Sequence, residues 1–382
     1  MNPVDPVNPV NPMDPGAGTH GRTPRTGRSA GGAESAEKYK KMLQDRRNDF
    51  DVTNTVQVSN PAAVRDAVRQ LLEQTYPDAG FDKIWLAFYD FERLFTGRMP
   101  GYLGCDTSYH DIQHTLDITL AMARLVAGYE AACGSREGLG AERALLGILT
   151  ALFHDAGYIR HELRDREYRN GAEFTLYHVT RSADFLRRYL PAIGLDHLAP
   201  AASKLVHFTG YEIAPDAIEM EDPRDTVLGH LLGTADLVAQ MADRCYLEKC
   251  RDRLYSEFVL GGIAVEHARP GEFMVRYASG EDLLRQTPGF FEHSAKPRLE
   301  ETFGGVYRYF EPLFDGHNPY MDAVEANLSF LRSLLDNGHW QLLRRNPPAF
   351  VGEQSSLRTI REMVQEEAAR LERVRLGNTA TG

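Results

Sequence analysis

Apolar residues recur at spacings of three and four along nearly the whole stretch from residue 45 to residue 345. Such spacing is typical of amphipathic α-helices. Alternating apolar and polar residues bounded by tight hairpin turns, which would indicate strands, are absent. The pattern therefore predicts one large all-α domain over residues 45–345, although the chain length of 382 residues alone would suggest two domains.

Two helix ends are marked by capping residues. In "SNPAAVRDAVRQLLEQTY", Asn60 is a predicted N-cap and Pro61 takes the first helical position. In "ERALLGILTALFHDAG", Gly157 is suited to the left-handed position that follows a helix. We therefore expect one helix to begin at Pro61 and another to end just before Gly157.

The two ends of the chain differ from this helical domain. Residues 1–44 carry a proline at every third position from Pro3 to Pro15 and then many Gly, Ser, Thr and Arg residues. This composition predicts a disordered tail, because it buries too little apolar surface to fold; a docking segment for a proline-recognition module is the alternative. Residues 346–382 predict an amphipathic helix that packs on the domain, or a coiled coil that would make a homodimer.

Charge and cysteine content limit the partners and the location. The formal net charge is -11, and no basic stripe alternates with aromatic residues, which argues against a nucleic-acid duplex as partner. The four cysteines show no CxxC spacing, which is typical of free thiols in a reducing compartment. No secretory signal is visible, and the longest apolar runs are shorter than the roughly 20 residues that cross a bilayer. We therefore expect a cytoplasmic protein without a membrane partner.

Histidines and aspartates at three places in the helical pattern form a candidate metal site. His110 and His114, in "YHDIQH", are four residues apart, so on a helix their side chains would project from one face. His154 and Asp155 end an apolar helix, where burial would be costly without a partner, and Asp236 stands among apolar residues in "TADL". Each has an ordinary alternative when taken alone: a polar edge for the histidine pair, a backbone-bonded Asp155 beside a half-exposed His154, and a helix N-cap for Asp236.

Two further histidines, His178 and His207, also stand in apolar or small surroundings, where a satisfied core histidine is the alternative. A set of nitrogen and carboxylate ligands without thiolate suits divalent ions such as Zn, Mn, Fe, Co or Mg. Six ligands are too many for one tetrahedral site with an open position, so the set predicts two ions bridged by a carboxylate. The candidate ligands are His114, His154, Asp155, His178, His207 and Asp236.

The segments "YHDIQH", "FHDAGY" and "TADL", in this order, resemble the motifs of the HD superfamily of metal-dependent phosphohydrolases. The closer resemblance is to the catalytic domains of class I cyclic-nucleotide phosphodiesterases, and it runs from about Tyr109 to Phe310. It implies an all-α HD-type fold and makes His110 the general acid that protonates the leaving oxygen. It also implies four ligands for the tightly bound metal: His114, His154, Asp155 and Asp236.

The later segment "SGEDLLRQTPGFFEHSAKPRLEETF" is similar to the part of those enzymes that holds a base-reading glutamine and a phenylalanine clamp. Gln286 and Phe290 fall at those places, with an ordinary surface residue as the alternative for Gln286. The chain departs from the pattern at Tyr158, where a second histidine is usual, at His207, where a carboxylate is usual, and at the additional Pro288. Direct histidine ligands for a second metal are more similar to bacterial HD phosphodiesterases of cyclic dinucleotides or to HD-fold di-iron oxygenases.

The sequence therefore predicts a metal-dependent phosphohydrolase. The leading hypothesis is a phosphodiesterase that hydrolyses a cyclic or linear nucleotide phosphoester through a metal-activated water, with His110 as the acid. Three alternatives stay open: a di-iron oxygenase on the same ligands, a nucleotide monophosphatase or pyrophosphohydrolase, and a non-enzymatic sensor that binds a nucleotide.

Overall fold

Helices make up most of the structure, a computed structural model that describes residues 46–269, 272–350, 361–367 and 369. Strands β1 (Val265–Arg269) and β2 (Glu272–Val275) form one antiparallel hairpin. The predicted all-α class is confirmed, and the hairpin is a local exception that the sequence prediction missed. The α-helices are α1 (Pro61–Thr75), α2 (Asp82–Phe95), α3 (Ile112–Glu137), α4 (Ala141–Phe153), α5 (His178–Ala192), α6 (Ala199–Leu205), α7 (Pro223–Ala242), α8 (Tyr246–Lys249), α9 (Tyr255–Leu260), α10 (Gly280–Phe290) and α11 (Pro319–Asn337).

Short π-helical and 3₁₀ segments link or extend several of these helices. The π-helical segment Cys250–Leu254 joins α8 to α9 into one helical run, and Phe291–Ala295 extends α10. A 3₁₀ turn, Ala156–Tyr158, follows α4. Such π segments are frequent at functional sites, and the α8–α9 run delivers a buried carboxylate to the site described below.

The helix starts that matter for the site follow from local capping. The Asn60 side chain accepts hydrogen bonds from the first backbone N–H groups of α1, with Pro61 at the first helical position, as predicted. At α3 the N-cap is Asp111, whose side chain accepts from the backbone N–H of His114 at 3.0 Å. Consequently His110 precedes the helix, and the expectation that it shares a helical face with His114 is wrong.

The core is built around α3 and α7. One contiguous cluster of buried apolar residues extends from Val52 to Leu343. Helix α3 packs against α1, α4 and α7 and is buried on nearly all sides from Ile112 to Tyr129. A buried leucine such as Leu116 stabilises the fold by about 1.5–3 kcal/mol, so the first turn of α3, which carries His114, is firmly held.

The chain ends are described only in part. The predicted tail, residues 1–44, lies outside the described residues. Of the predicted C-terminal helix, residues 361–367 are helical; Met363 is buried, and Glu366 forms an ion pair with Arg169 at 3.4 Å. This segment therefore contacts the domain, and the predicted homodimer stays a prediction. Among the described helices, none combines the length and apolar character needed to traverse a bilayer.

Candidate metal centre

Four donor groups from three helical elements meet in the interior. His114 lies in the first turn of α3, His154 and Asp155 directly follow α4, and Asp236 lies in the middle of α7. His114 Nε2 is 3.4 Å from Asp155 Oδ2 and 3.9 Å from Asp236 Oδ1. His154 Nε2 is 3.2 Å and 3.9 Å from the same two oxygens. Ligands at about 2.1 Å from one ion stand about 3.0–3.4 Å apart at angles of about 90–110°, so the separations to Asp155 suit a shared ion and those to Asp236 are about 0.5 Å longer.

Several sequence alternatives are excluded by this placement. Asp236 lies well inside α7 and does not cap a helix. His154 is 2% exposed, so it is not half exposed, and Asp155 makes no side-chain capping bond to the turn that follows it. His154 and Asp155 are therefore buried, and they carry the desolvation cost that the sequence pattern predicted.

Two of the donor atoms lack a hydrogen-bond partner. Among the described residues, nothing of suitable geometry bonds to the buried His154 Nε2 or to the buried Asp155 Oδ2. His154 Nδ1 lies 2.8 Å from the carbonyl of Ala151 and donates to it, which orients the ring with Nε2 toward the carboxylates. Leaving such atoms unsatisfied costs about 1–3 kcal/mol each. A divalent ion shared by both would satisfy them, so the donor set fits a metal.

In the absence of a metal, the protonation states of the cluster follow from burial and from the neighbouring charges. Burial raises the pKa of Asp155, but the neighbouring histidines, His154 first, outweigh this and hold its pKa well below the usual range. Burial lowers the pKa of His154, and the carboxylates of Asp155 and Asp236 more than reverse this, raising the pKa to about 9. In the metal-free protein a proton on His154 therefore supplies the positive charge that the carboxylates attract.

The other oxygen of Asp155 faces a further predicted ligand, His178. His178 Nε2 lies 3.7 Å from Asp155 Oδ1, and His178 Nδ1 donates to the carbonyl of Thr175 at 2.8 Å. Burial lowers the pKa of His178, which favours the neutral imidazole that a metal requires. Asp155 thus presents one oxygen to the four-donor cluster and one to His178, as expected of a bridging carboxylate.

The structure does not bring His207, the sixth predicted ligand, to this cluster. His207 lies in the 3₁₀ turn Val206–Phe208 after α6. Burial lowers its pKa, and the charges that act on it belong to Glu212 and Arg187. It lines no part of the cavity described below and belongs to neither of the two groups of potential metal ligands among the described residues. Of the two further predicted histidine ligands, only His178 therefore lies beside Asp155.

The predicted acid, His110, is held by a carboxylate that sequence reasoning missed. His110 Nδ1 lies 2.5 Å from Glu257 Oε2, and the other oxygen of Glu257 accepts from the backbone N–H groups of Tyr109 and His110. Burial lowers the pKa of His110, but the charge of Glu257 outweighs it and the net pKa is raised. The only sequence signal for Glu257 is an acidic residue beside apolar ones in "SEFVL".

His110, Tyr158 and His178 form a cluster of aromatic rings. The Tyr158 ring packs against the imidazoles of His110 and His178, with centroid distances of 4.5 Å and 4.3 Å and planes within 19° of parallel, and the two imidazole centroids are 6.1 Å apart. Tyr158 stands where the resembling enzymes usually carry a histidine. Here it packs against two histidines at once and fixes the orientation of both rings.

Gly157 does not act as a left-handed helix cap, contrary to the sequence prediction. Its φ angle is not positive, and the turn that contains it is a 3₁₀ turn. An added Cβ would lie 1.8 Å from the carbonyl oxygen of His178. The glycine is needed because the start of α5 approaches the backbone after Asp155 directly, and this contact places His178 beside Asp155.

The cluster opens into a cavity of about 180 Å³. His110, Asp155 and His178 line one end of it, and both predicted substrate residues, Gln286 and Phe290, line its wall. The Gln286 amide donates to the carbonyl of Arg276 at 3.0 Å. No lysine or arginine occurs among the described residues that line the cavity. The remaining wall is largely apolar and includes Leu176, Leu237, Leu254, Phe258, Ile263 and Leu283.

Comparison with known proteins places the chain in a family. The family model described as Npun_R2479-like matches residues 99–307, which is more than half of the chain and includes the whole cluster. Neither the curated proteins nor the solved structures contain a significant match. The chain belongs to the Npun_R2479-like family.

Proposed function

We propose that this protein is a metal-dependent phosphohydrolase, and specifically a phosphodiesterase of small molecules. The observation that carries the proposal is the His110–Glu257 pair beside a cluster of histidine and carboxylate donors, with His110, His114, Asp155, His178 and Asp236 lining one cavity. Metal donors alone suit several chemistries. An imidazole with raised pKa at the same cavity adds the proton that a departing alkoxide requires.

The donor set determines where metal chemistry would act. His114, His154, Asp155 and Asp236 would hold one ion, and Asp155 with His178 would hold a second. Divalent ions bound there would lower the pKa of a bound water and neutralise the oxygens of a phosphate group.

His110 would act as the general acid. Its Nδ1–H donates to Glu257, so the proton on Nε2 is the one available to the leaving oxygen. The charge of Glu257 raises the pKa of the ring, which favours its protonated form. Glu257 orients the ring and stabilises its charge, and the stacked Tyr158 ring limits its rotation. Such positioned acids typically contribute about 10²–10⁴-fold to the rate.

The cavity wall indicates the kind of phosphoester. Because no lysine or arginine is found among the described lining residues, a chain of two or three phosphates would lack counter-charges there. A diester carries one negative charge, and its organic part would contact the apolar wall near Phe290. We therefore favour a diester over the substrates of a pyrophosphohydrolase or a monophosphatase.

A di-iron oxygenase is the second candidate, and it is favoured by one observation. His178 faces Asp155 Oδ1 directly, so both metal positions have a histidine donor. Iron would be required for that activity, whereas hydrolysis would proceed with ions without redox chemistry such as Zn²⁺ or Mg²⁺.

Metal analysis of the purified chain, combined with hydrolysis of bis(4-nitrophenyl) phosphate, tests the proposal. Asp155→Ala should lose bound metal and more than about 100-fold in turnover, since even partners outside the ligand sphere are worth about 10–100-fold. Asp184→Ala is the matched control, because Asp184 is an exposed aspartate on α5 that pairs with Arg187. Full metal occupancy in Asp155→Ala, or equal turnover in both variants, would contradict the proposal.

A further inference from the structure

A second pocket, distinct from the metal centre, is lined by three arginines. It has a volume of about 70 Å³ and lies at the C-terminal end of α7, between that end and α11. Arg46, Arg244 and Arg345 line it together with Asn327 and Phe330. None of the pocket residues lines the metal cavity. Any role of this pocket is therefore separate from that of the metal centre.

The Arg46 guanidinium is buried without a full set of partners. The residue is 5% exposed, and its Nη2 donates to the carbonyl of Ala242 at 2.7 Å. Its Nε and Nη1 are buried and bond to no described group. A buried cation with two unsatisfied donors is costly, unless an anion or water in the pocket accepts from them.

The other two guanidinium groups add positive charge to the same pocket. Arg345 Nη1 donates to the carbonyl of Arg244 at 2.6 Å, which holds the two chain segments together. Burial lowers the pKa of Arg244, and the charges of Arg345 and Arg46 lower it further. The smaller part of this shift comes from like charges that lie near each other.

Nearby carboxylates compensate only part of this charge. Glu248 Oε2 lies 3.8 Å from Arg345 Nη1, and burial raises the pKa of Glu248. Asp243 is already engaged by Lys249 at 2.5 Å. Burial raises the pKa of Asp117 to about 7, so it carries at most part of a negative charge near neutral pH. None of these carboxylates accepts from the two buried donors of Arg46, which stay without a described acceptor.

We propose that this pocket binds a small oxyanion, either inorganic phosphate or the phosphoryl end of a larger ligand, between Arg46, Arg244 and Arg345. Guanidinium groups match the oxygens of a phosphate by paired hydrogen bonds. The volume is several times the roughly 10–15 Å³ that one water requires, which leaves room for a tetrahedral anion. The site is independent of the proposed phosphohydrolase activity, and its test does not use that activity.

Calorimetric titration of the full chain with inorganic phosphate, in a chloride buffer, tests this site. The variants are Arg46→Gln and Arg345→Gln, with Arg187→Gln as the charge-matched control because Arg187 is 59% exposed and pairs with Asp184. Phosphate bound at the metal centre contributes equally to all of them. We expect each pocket variant to bind phosphate at least about tenfold more weakly than the wild type, and Arg187→Gln to be unchanged.

Two further arms complete the experiment. If Arg46→Gln does not fold, because Arg46 also bonds to the end of α7, Arg345→Gln decides. Titration with a nucleoside monophosphate distinguishes inorganic phosphate from the phosphoryl end of a larger ligand. An affinity equal to that of inorganic phosphate indicates a free oxyanion. Binding tighter than that of inorganic phosphate, and lost in the same variants, indicates a larger ligand. Identical phosphate binding by all variants, or no binding by the wild type at millimolar phosphate, would overturn the proposal.

Discussion

Gly157→Ala tests the contact that places His178 beside Asp155. The new Cβ would lie 1.8 Å from the carbonyl oxygen of His178, whereas real Cβ contacts essentially never fall below 3.0 Å. The start of α5 would therefore have to move by at least about 1.2 Å. The contact partner is backbone and cannot rotate away. The backbone N–H of Gly157 also donates to Ser182 Oγ at 2.8 Å, so the shift would strain a second link to α5.

The expected effects are a loss of stability and a larger loss of function. Overpacking of this kind costs about 1–3 kcal/mol, and each kcal/mol lowers the melting temperature by roughly 2–4 °C in a domain of this size class. A misplacement of about 1 Å at a reacting centre costs on the order of 10²-fold in rate. Since His178 moves with its carbonyl, occupancy of the second metal position should fall as well.

Scanning calorimetry and elemental analysis measure both effects. Gly80→Ala is the matched control, because a Cβ at Gly80 meets nothing within 4 Å and its φ is not positive. If Gly157→Ala melted within about 1 °C of Gly80→Ala and bound the same amount of metal, the close approach of α5 to this turn would be refuted.

Three further predictions concern the chain end and the two histidine–carboxylate pairs. Deleting residues 1–44 should leave turnover and melting temperature nearly unchanged, because their composition forms no core; a loss of several degrees by calorimetry would show that they pack on the domain. Metal affinity, measured by competition with a chelator, should rise with pH and level off near pH 9, because below that pH the ion has to displace a proton from His154. Without metal, the same proton stabilises the folded state. This contribution should be complete below about pH 6.5 and should be lost as the pH rises through about 9. In Glu257→Gln the alkaline limb of the pH–rate profile should move to lower pH, since the charge that raises the pKa of His110 is removed. An unchanged limb would show that Glu257 does not set the pKa of the catalytic acid.

Much of the architecture was predictable because it rests on local patterns. The 3.6-residue periodicity predicts the helices, and the start of α1 follows from Asn60 and Pro61, which act within one turn. The gathering of His114 with His154, Asp155 and Asp236 follows from three motifs in order. The structure brings these four together, and their role as metal ligands stays a prediction, as do the cytoplasmic location and the two substrate residues.

The parts that escaped prediction depend on contacts between distant segments. Glu257 reaches His110 from 147 positions along the chain, and no spacing rule connects them. A glycine after a helix is a common helix-ending signal, but at Gly157 the glycine is required because α5 packs directly against it. The local sequence gives no information about that contact. His207 has the same apolar surroundings as His178, yet only the turn geometry decides that one faces Asp155 and the other does not.

The central claim is that His110 delivers a proton to a leaving oxygen beside a metal centre. The most direct measurement is the rate ratio of wild type to His110→Ala on two phosphodiesters that differ only in their leaving group, an alkoxide and a nitrophenolate. Metal content is checked in both proteins, and His197→Ala, which removes an exposed histidine paired with Glu142, is the control. We predict a ratio of about 10²–10⁴ for the alkoxide and a much smaller one for the nitrophenolate, which needs little protonation as it leaves. Equal ratios for the two diesters, with metal retained, would contradict the assignment of His110 as the acid.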